Sequence, residues 1–218
     1  MKRLLIIFTA LLMFATTMSA GEKLTIRDIT SSKFSAKMVN GMNPISGTDT
    51  YARIEGKKIV SYSFKTGKQV GVLFDADNTI GKKIDGFDSY SFSPDGKRML
   101  IQTKTEKIYR RSYKAEFYIY NIASRRLDPL SDGGPQQVPT WSNDGLQVAF
   151  VRDNNIFLVK LLYDNAEIQV TKDGKFNEVI NGLPDWVNEE EFGFNRALTF
   201  NADGTMLCWL RYDESKVK

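Results

Sequence analysis

A strand–turn–strand motif returns three times along this 218-residue chain. Tyr90-Ser91-Phe92-Ser93-Pro94-Asp95-Gly96 leads into the apolar run Met99-Leu100-Ile101. Thr140-Trp141-Ser142-Asn143-Asp144-Gly145 leads into Val148-Ala149-Phe150-Val151. Thr199-Phe200-Asn201-Ala202-Asp203-Gly204 leads into Met206-Leu207-Cys208-Trp209-Leu210. Each copy has an aromatic, a small polar residue, Asp-Gly, then an apolar strand. Glycine supplies the positive φ that ends the turn, and Pro94 presets φ at its start. The copies lie 49 residues apart (Ser93 to Ser142) and then 59 (Ser142 to Asn201). Two more strands follow the second copy, Asn155–Leu161 after the Asp153-Asn154 turn and then Ala166–Val170. Four strands per unit at a period of about 40–50 residues predict the blades of a β-propeller. The repeating aromatic is expected between blades, where packing needs a large apolar side chain at a fixed place.

Upstream, Tyr51–Ile54, Lys58–Phe64 and Gln69–Phe74 read as a meander joined by the glycine-bearing turns at Gly56 and Gly67. Residues 49–218 therefore supply about three to four blades. The fold class expected is all-β, a partial β-propeller of four-stranded blades with one short acidic helix inserted. A closed propeller needs at least four blades, and an open stack exposes sheet faces and edges. The chain is thus expected to be a fragment, or the first part of a longer protein. Residues 21–48 show no strong period and are expected as an N-terminal extended segment, although Leu24-Thr25-Ile26 and Asp28-Ile29-Thr30 would also suit a short helix.

The first twenty residues read as an export leader. Lys2-Arg3 precede an apolar run, Leu4 to Ala15, that is short for a membrane span. The small-residue stretch Thr16–Ala20 suits cleavage after Ala20, with Met18 large for such a site. No cysteine follows to take a lipid, so an exported, periplasmic or envelope-associated protein is expected. Without Lys2 and Arg3, the balance of 30 basic and 26 acidic residues falls to +2. That is no nucleic-acid-binding balance. Histidine is absent from the sequence, which removes a Ser-His-Asp or Cys-His triad and every histidine-based metal site. Neither a metal nor a cofactor is expected. The single cysteine, Cys208, is expected as a small buried hydrophobe within its apolar run.

Two inserts interrupt the blades, and departures from a repeat are where function is usually grafted. One, Thr105 to Lys114, contains Ile108-Tyr109-Arg110-Arg111-Ser112-Tyr113 and delays the strand Ala115–Tyr120. The other, Lys175 to Phe194, holds Asp185-Trp186-Val187-Asn188-Glu189-Glu190-Glu191-Phe192. Asp185 is a good N-cap, Pro184 favours an extended entry, and the glutamates fall where the helix dipole favours negative charge. Taken alone, this stretch suits a solvated helix start as well as a cation site, and Arg110 suits a solvated basic loop with Lys107, Arg111 and Lys114.

Together the two inserts resemble the dipeptidyl peptidase IV group of serine peptidases. Residues 185–191 are similar to its acidic motif, usually D-W-V-Y-E-E-E. Tyr109–Tyr113 resembles its arginine segment, an aromatic followed by R-H-S-Y, and Val148–Phe157 resembles the strand pair that follows. The likeness spans residues 50–218. It implies an N-terminal propeller covering a C-terminal α/β-hydrolase domain that is absent from these residues. It implies that Glu190 and Glu191 hold the free amine of a peptide substrate and that Arg110 contacts a substrate carbonyl. Glu189 is left as structural, facing away or making a helix contact. Asn188 stands where the family usually has tyrosine and Arg111 where it often has histidine, so which of Arg110 and Arg111 faces the site stays open. The partners implied are peptides with a free N-terminus, the hydrolase domain and a second copy in a homodimer, with no nucleic acid.

Elementary chemistry agrees with that role. A peptide α-amino group, with a pKa of about 7.7–8, is mostly cationic at neutral pH. Two carboxylates take its N–H donors in charge-assisted hydrogen bonds, and an internal peptide segment offers no such cation. The competing reading is a non-catalytic periplasmic propeller, which would lack both the acidic helix and the arginine insert. An oligopeptidase or acyl-aminoacyl peptidase of the same clan would have no use for a carboxylate pair. No catalytic residue is expected in this chain, and the chain by itself is expected to be inactive.

Overall fold

The computed structural model describes residues 23–36 and 41–217. The expected leader, residues 1–20, lies outside them. Two compact units divide between Asn40 and Gly41.

In the first unit, Ile26–Thr30 form one helical turn, α1. Residues 21–48 are therefore not uniformly extended. The reason is a capping box: the Thr25 hydroxyl accepts from the Asp28 N–H at 3.2 Å, and the Asp28 carboxylate accepts from the Thr25 N–H at 3.0 Å. A short 3₁₀ turn, Ser32–Phe34, follows.

The second unit is a row of antiparallel sheets. The first blade is β1 (Asn43–Pro44), β2 (Thr50–Glu55), β3 (Lys58–Ser63) and β4 (Gln69–Asp75), in that order. It starts before residue 49 because Asn43 and Pro44 pair with Ala52 and Tyr51. The second comprises β6 (Ser89–Phe92), β7 (Arg98–Lys107), β8 (Tyr113–Asn121) and β9 (Arg126–Pro129), with β5 (Ile80–Gly81) added in parallel on its outer edge. The third is β10 (Gln137–Trp141), β11 (Gln147–Arg152), β12 (Asn155–Lys160) and β13 (Ala166–Gln169). Two strand pairs then begin a fourth: β15 (Leu198–Phe200) with β16 (Leu207–Trp209), and β14 (Val179–Asn181) with β17 (Arg211–Asp213). The protein is a partial β-propeller, and no catalytic domain lies within these residues.

The core lies between the sheets, and strand alternation explains it. Side chains along a strand point alternately to its two faces. Met99 and Ile101 of β7 pack toward the first blade with Ile59, Phe74 and Tyr120. Leu100, between them, packs toward the third with Val148 and Phe150. In β11, Val148 and Phe150 face back while Ala149 and Val151 face forward onto Leu183, Leu198 and Phe200. Central strands buried on both faces read as continuous apolar runs. The repeated aromatic falls where the repeat predicts: Phe92, Trp141 and Phe200 all join these interblade clusters.

Cys208 departs from its expected burial and is exposed. Its register partner is Thr199, whereas Leu198–Trp209 and Phe200–Leu207 share the opposite face, toward the third blade. Among the described residues no element covers the Thr199–Cys208 face, so one side of an apolar run is left open.

The Asp-Gly turns have a shared internal structure. Ser93 Oγ accepts from the Arg98 N–H at 2.9 Å, and Asp95 Oδ1 accepts from the Lys97 N–H at 3.1 Å. Ser142 and Asp144 do the same for Gln147 and Leu146, each at 2.9 Å. Asn201 and Asp203 do so for Met206 and Thr205, also at 2.9 Å. The turns also stack on one another. A Cβ at Gly145 would lie 3.3 Å from the Asp95 carboxyl, and one at Gly204 would lie 3.3 Å from Asp144 and Ser142. Both glycines hold positive φ, 69° and 74°. Five residues after each serine comes a donor that reaches the next turn: Gln147 Nε2 donates to Gly204 O at 3.1 Å, and Arg98 Nη1 makes a longer 3.5 Å contact with Gly145 O. Met206 holds this position in the third copy and is exposed.

Candidate functional site

The arginine insert is a projecting hairpin. Strands β7 and β8 run into it, pairing Glu106 with Lys114 and Lys107 with Tyr113 beyond a bulge between Thr103 and Glu106. Lys104 takes up the extra residue at φ 51°. The insert thus extends the strands on both sides instead of delaying the second. Its tip, residues 108–112, closes with Ile108 N–H donating to Ser112 O at 2.9 Å.

The acidic insert folds as a seven-residue helix, α2 (Trp186–Phe192). Asp185 is its N-cap, with Oδ1 accepting from the Asn188 N–H at 2.7 Å and from Asn188 Nδ2 at 2.9 Å. Asn188, the departure from the family motif, thereby reinforces the cap. The helix ends at Gly193 in the left-handed region, φ 73°, whose N–H returns to Glu189 O.

Consecutive helical residues turn by about 100°, so the three glutamates cannot share one face. Glu189 points inward and is 2% exposed. Its Oε1 accepts from the backbone N–H groups of Arg111 and Ser112, each at 2.8 Å. Glu190 is partly exposed and pairs with Arg110, Nε to Oε2 at 3.2 Å. Glu191 is exposed, and among the described residues it makes no ion pair with Arg110. Asn195, just past the helix, donates from Nδ2 to Arg111 O at 2.9 Å. The Arg111 guanidinium lies against Gly193, where a Cβ would meet Nη2 at 3.3 Å. Arg110 therefore faces Glu190, and Arg111 turns toward the helix C-terminus, where a cation is favoured.

Of the residues named from sequence, the structure joins Arg110 to Glu190 and leaves Glu191 one step further round the helix. Glu189 faces inward instead of away, and its partners lie in the hairpin and not in its own helix; they were not legible, because backbone N–H groups carry no residue signature. Two hollows flank the junction. A cavity of about 350 Å³ is lined by Tyr109, Ser112, Leu183, Trp186 and Glu189. A larger one, about 720 Å³, is lined by Tyr90, Tyr113, Trp141, Phe194 and Arg196. Burial pushes the Tyr113 phenol up from its ordinary pKa. The arrangement offers the Glu190 carboxylate and the Arg110 guanidinium on one rim, with the exposed Glu191 carboxylate one step round the helix, groups able to bind a cationic and hydrogen-bonding ligand.

The hairpin and the helix both lie within residues 93–218, which match the family described as the dipeptidyl peptidase IV (DPP IV) N-terminal region. The chain belongs to the dipeptidyl peptidase IV family. It is similar to a probable dipeptidyl-aminopeptidase B of Tuber melanosporum, 33% identical over 92% of this chain and 24% of that protein. It is also similar to the prolyl endopeptidase FAP of Bos taurus, 30% identical over 91% of this chain and 26% of that one. The crystal structure of Porphyromonas gingivalis dipeptidyl peptidase 4 matches with a TM-score of 0.82 and 37% identity, over 90% of this chain and 28% of the other. The chain thus spans about a quarter of the length of the relatives it matches. In dipeptidyl peptidase IV terms, residues 93–218 belong to the N-terminal region.

Proposed function

We propose that these residues form the substrate-recognition part of an exported dipeptidyl peptidase IV-type serine peptidase that removes X-Pro or X-Ala dipeptides from peptide N-termini. Glu190 and Glu191 take the substrate's α-ammonium group. Arg110 donates to a backbone carbonyl of the bound dipeptide. A C-terminal α/β-hydrolase domain, outside these residues, carries the nucleophile and its base. The carboxylates act as a ruler: a free amine satisfies them, while an internal peptide segment leaves desolvated carboxylates without a cation, which is costly. The leader at residues 1–20 supports export to the periplasm or envelope, and a second copy in a homodimer belongs to the same reading.

The observation that carries this reading is the Arg110–Glu190 pair, which brings residues of two separate inserts onto one rim. The test compares the full-length protein on X-Pro substrates with free and with acetylated N-termini. Cleavage confined to the free-amine substrate is expected. Equal kcat/KM on both would remove the amine-ruler role. The chain of residues 1–218 on its own is expected to turn over neither.

A further inference from the structure

Glu189 is a buried carboxylate that the proposed substrate contacts leave unused. Burying an ionised carboxylate is costly unless it is well hydrogen-bonded. Here the bonds come from two consecutive backbone N–H groups, those of Arg111 and Ser112, at 2.8 Å each. These groups belong to the hairpin tip, which is closed on itself by the Ile108 N–H to Ser112 O bond but reaches the acidic helix through few contacts. Arg110 is exposed, with a side chain 73% accessible, and its single ion pair is of the surface type that contributes little rigidity. The tip is fixed instead through its backbone on both sides of the Arg111 peptide: Glu189 takes the N–H, and Asn195 Nδ2 donates to the carbonyl oxygen at 2.9 Å.

We infer that Glu189 is a positioning residue, whose carboxylate clamps the Arg111-Ser112 backbone so that Arg110, the preceding residue, is presented beside Glu190. The inference rests on the reading of Arg110 as a substrate contact. The first glutamate of the triplet is thus directed at the protein and the later two at the ligand. The clamp also crosses between blades, since the hairpin extends the second and the helix follows the third.

Geometry distinguishes two substitutions. Both N–H groups bond to the same oxygen, Oε1. Glu189→Gln keeps such an oxygen and can hold the tip, whereas Glu189→Ala leaves two N–H groups without an acceptor.

The test is a double-mutant cycle in the full-length protein on a free-amine X-Pro substrate. Glu189→Ala is expected to lower kcat/KM about tenfold or more in the wild-type background, and by no more than about threefold when Arg110→Ala is already present. Glu189→Gln is expected to recover most of the loss. Asn195→Ala, which removes the clamp's other half, enters the same cycle, so the test survives if Glu189→Ala fails to fold. Equal losses in both backgrounds overturn the inference, as does an Arg110→Ala variant with wild-type kcat/KM, which would leave nothing to position. Glu190→Gln and Glu191→Gln serve as separate arms. If they impair cleavage while the cycle is additive, the amine reading stands and the clamp fails. If they do not impair it while the cycle is non-additive, the clamp stands and the amine reading fails.

Discussion

Glu189 of the acidic helix and Ser112 of the hairpin tip stand 77 residues apart in the chain and share a hydrogen bond of 2.8 Å. Its acceptor, Glu189, is buried, while in the neighbouring Arg110–Glu190 pair the Arg110 side chain is 73% exposed. Salt should separate the two. At about 1 M ionic strength the screening length falls to about 3 Å. Protection of the Arg111 and Ser112 amides from hydrogen exchange should persist at that salt concentration. Loss of protection on adding salt would show that the surface pair, and not the buried carboxylate, holds the tip.

Removing charge from the amine pair should be costly. Hydrogen bonds to charged groups contribute about 1.5–3 kcal/mol each. Glu190→Gln and Glu191→Gln in the full-length protein should each lower kcat/KM on free-amine X-Pro substrates by about tenfold to a hundredfold. Thermal midpoints should barely change, because Glu191 is exposed and Glu190 pairs with an Arg110 side chain that is 73% exposed. Wild-type kinetics in both variants would contradict the assignment.

Arg152 should be a stability hot spot remote from the site. Its guanidinium stacks 4.0 Å from the Phe157 ring, donates to Ser131 Oγ at 2.6 Å and to Glu167 Oε1 at 2.7 Å, and has a side chain only 14% exposed. Arg152→Ala leaves Glu167 without its cation and is expected to lower unfolding free energy by about 1–3 kcal/mol. Urea unfolding measures it, and a midpoint equal to wild type would refute the estimate.

Gly174 should tolerate no side chain. A Cβ there would sit 2.2 Å from the Asn154 carbonyl oxygen, a backbone atom that cannot swing away. That carbonyl also accepts the Asn181 N–H at 3.0 Å, tying the third blade to the strand pair beyond it. Gly174→Ala should cost at least about 2 kcal/mol. Unchanged urea resistance would show that the 153–154 turn can relax.

Acid should loosen the β14–β17 pair only below about pH 4. The Arg211 guanidinium, then Asn181, hold the Asp173 carboxyl below its ordinary pKa. A depressed carboxylate pKa contributes stability that is fully present above the unfolded value, about 3.9, and is lost as pH falls toward the folded value. Asp173→Asn should therefore flatten the stability profile below about pH 4 and leave the slope near neutrality unchanged. An identical acid slope in the variant would argue against the linkage.

The propeller was legible because central strands leave a clear mark. Met99-Leu100-Ile101 and Val148–Val151 are apolar without alternation because both faces are buried, and Asp-Gly marks the turn before each. The projecting hairpin left none. Lys104 to Lys107 are exposed, so no alternation of burial distinguishes strand from loop there. Cys208 was misread for a related reason: an apolar run signals two covered faces, and only one is covered among the described residues. The acidic helix was legible from Pro184, Asp185 and the three carboxylates. Its docking was not, because the groups that receive Glu189 belong to the backbone.

The stacked Asp-Gly turns give the molecule a direction. Gln147 belongs to an earlier blade and Gly204 to a later one, and the donor reaches toward residues made after it. The glycine suits its positive φ, and a Cβ there would crowd the carboxyl of the preceding turn at 3.3 Å. Translation delivers the parts in that order, so each finished turn is a template on which the next can settle. Both contacts, from Arg98 to Gly145 and from Gln147 to Gly204, run from an earlier blade to a later one.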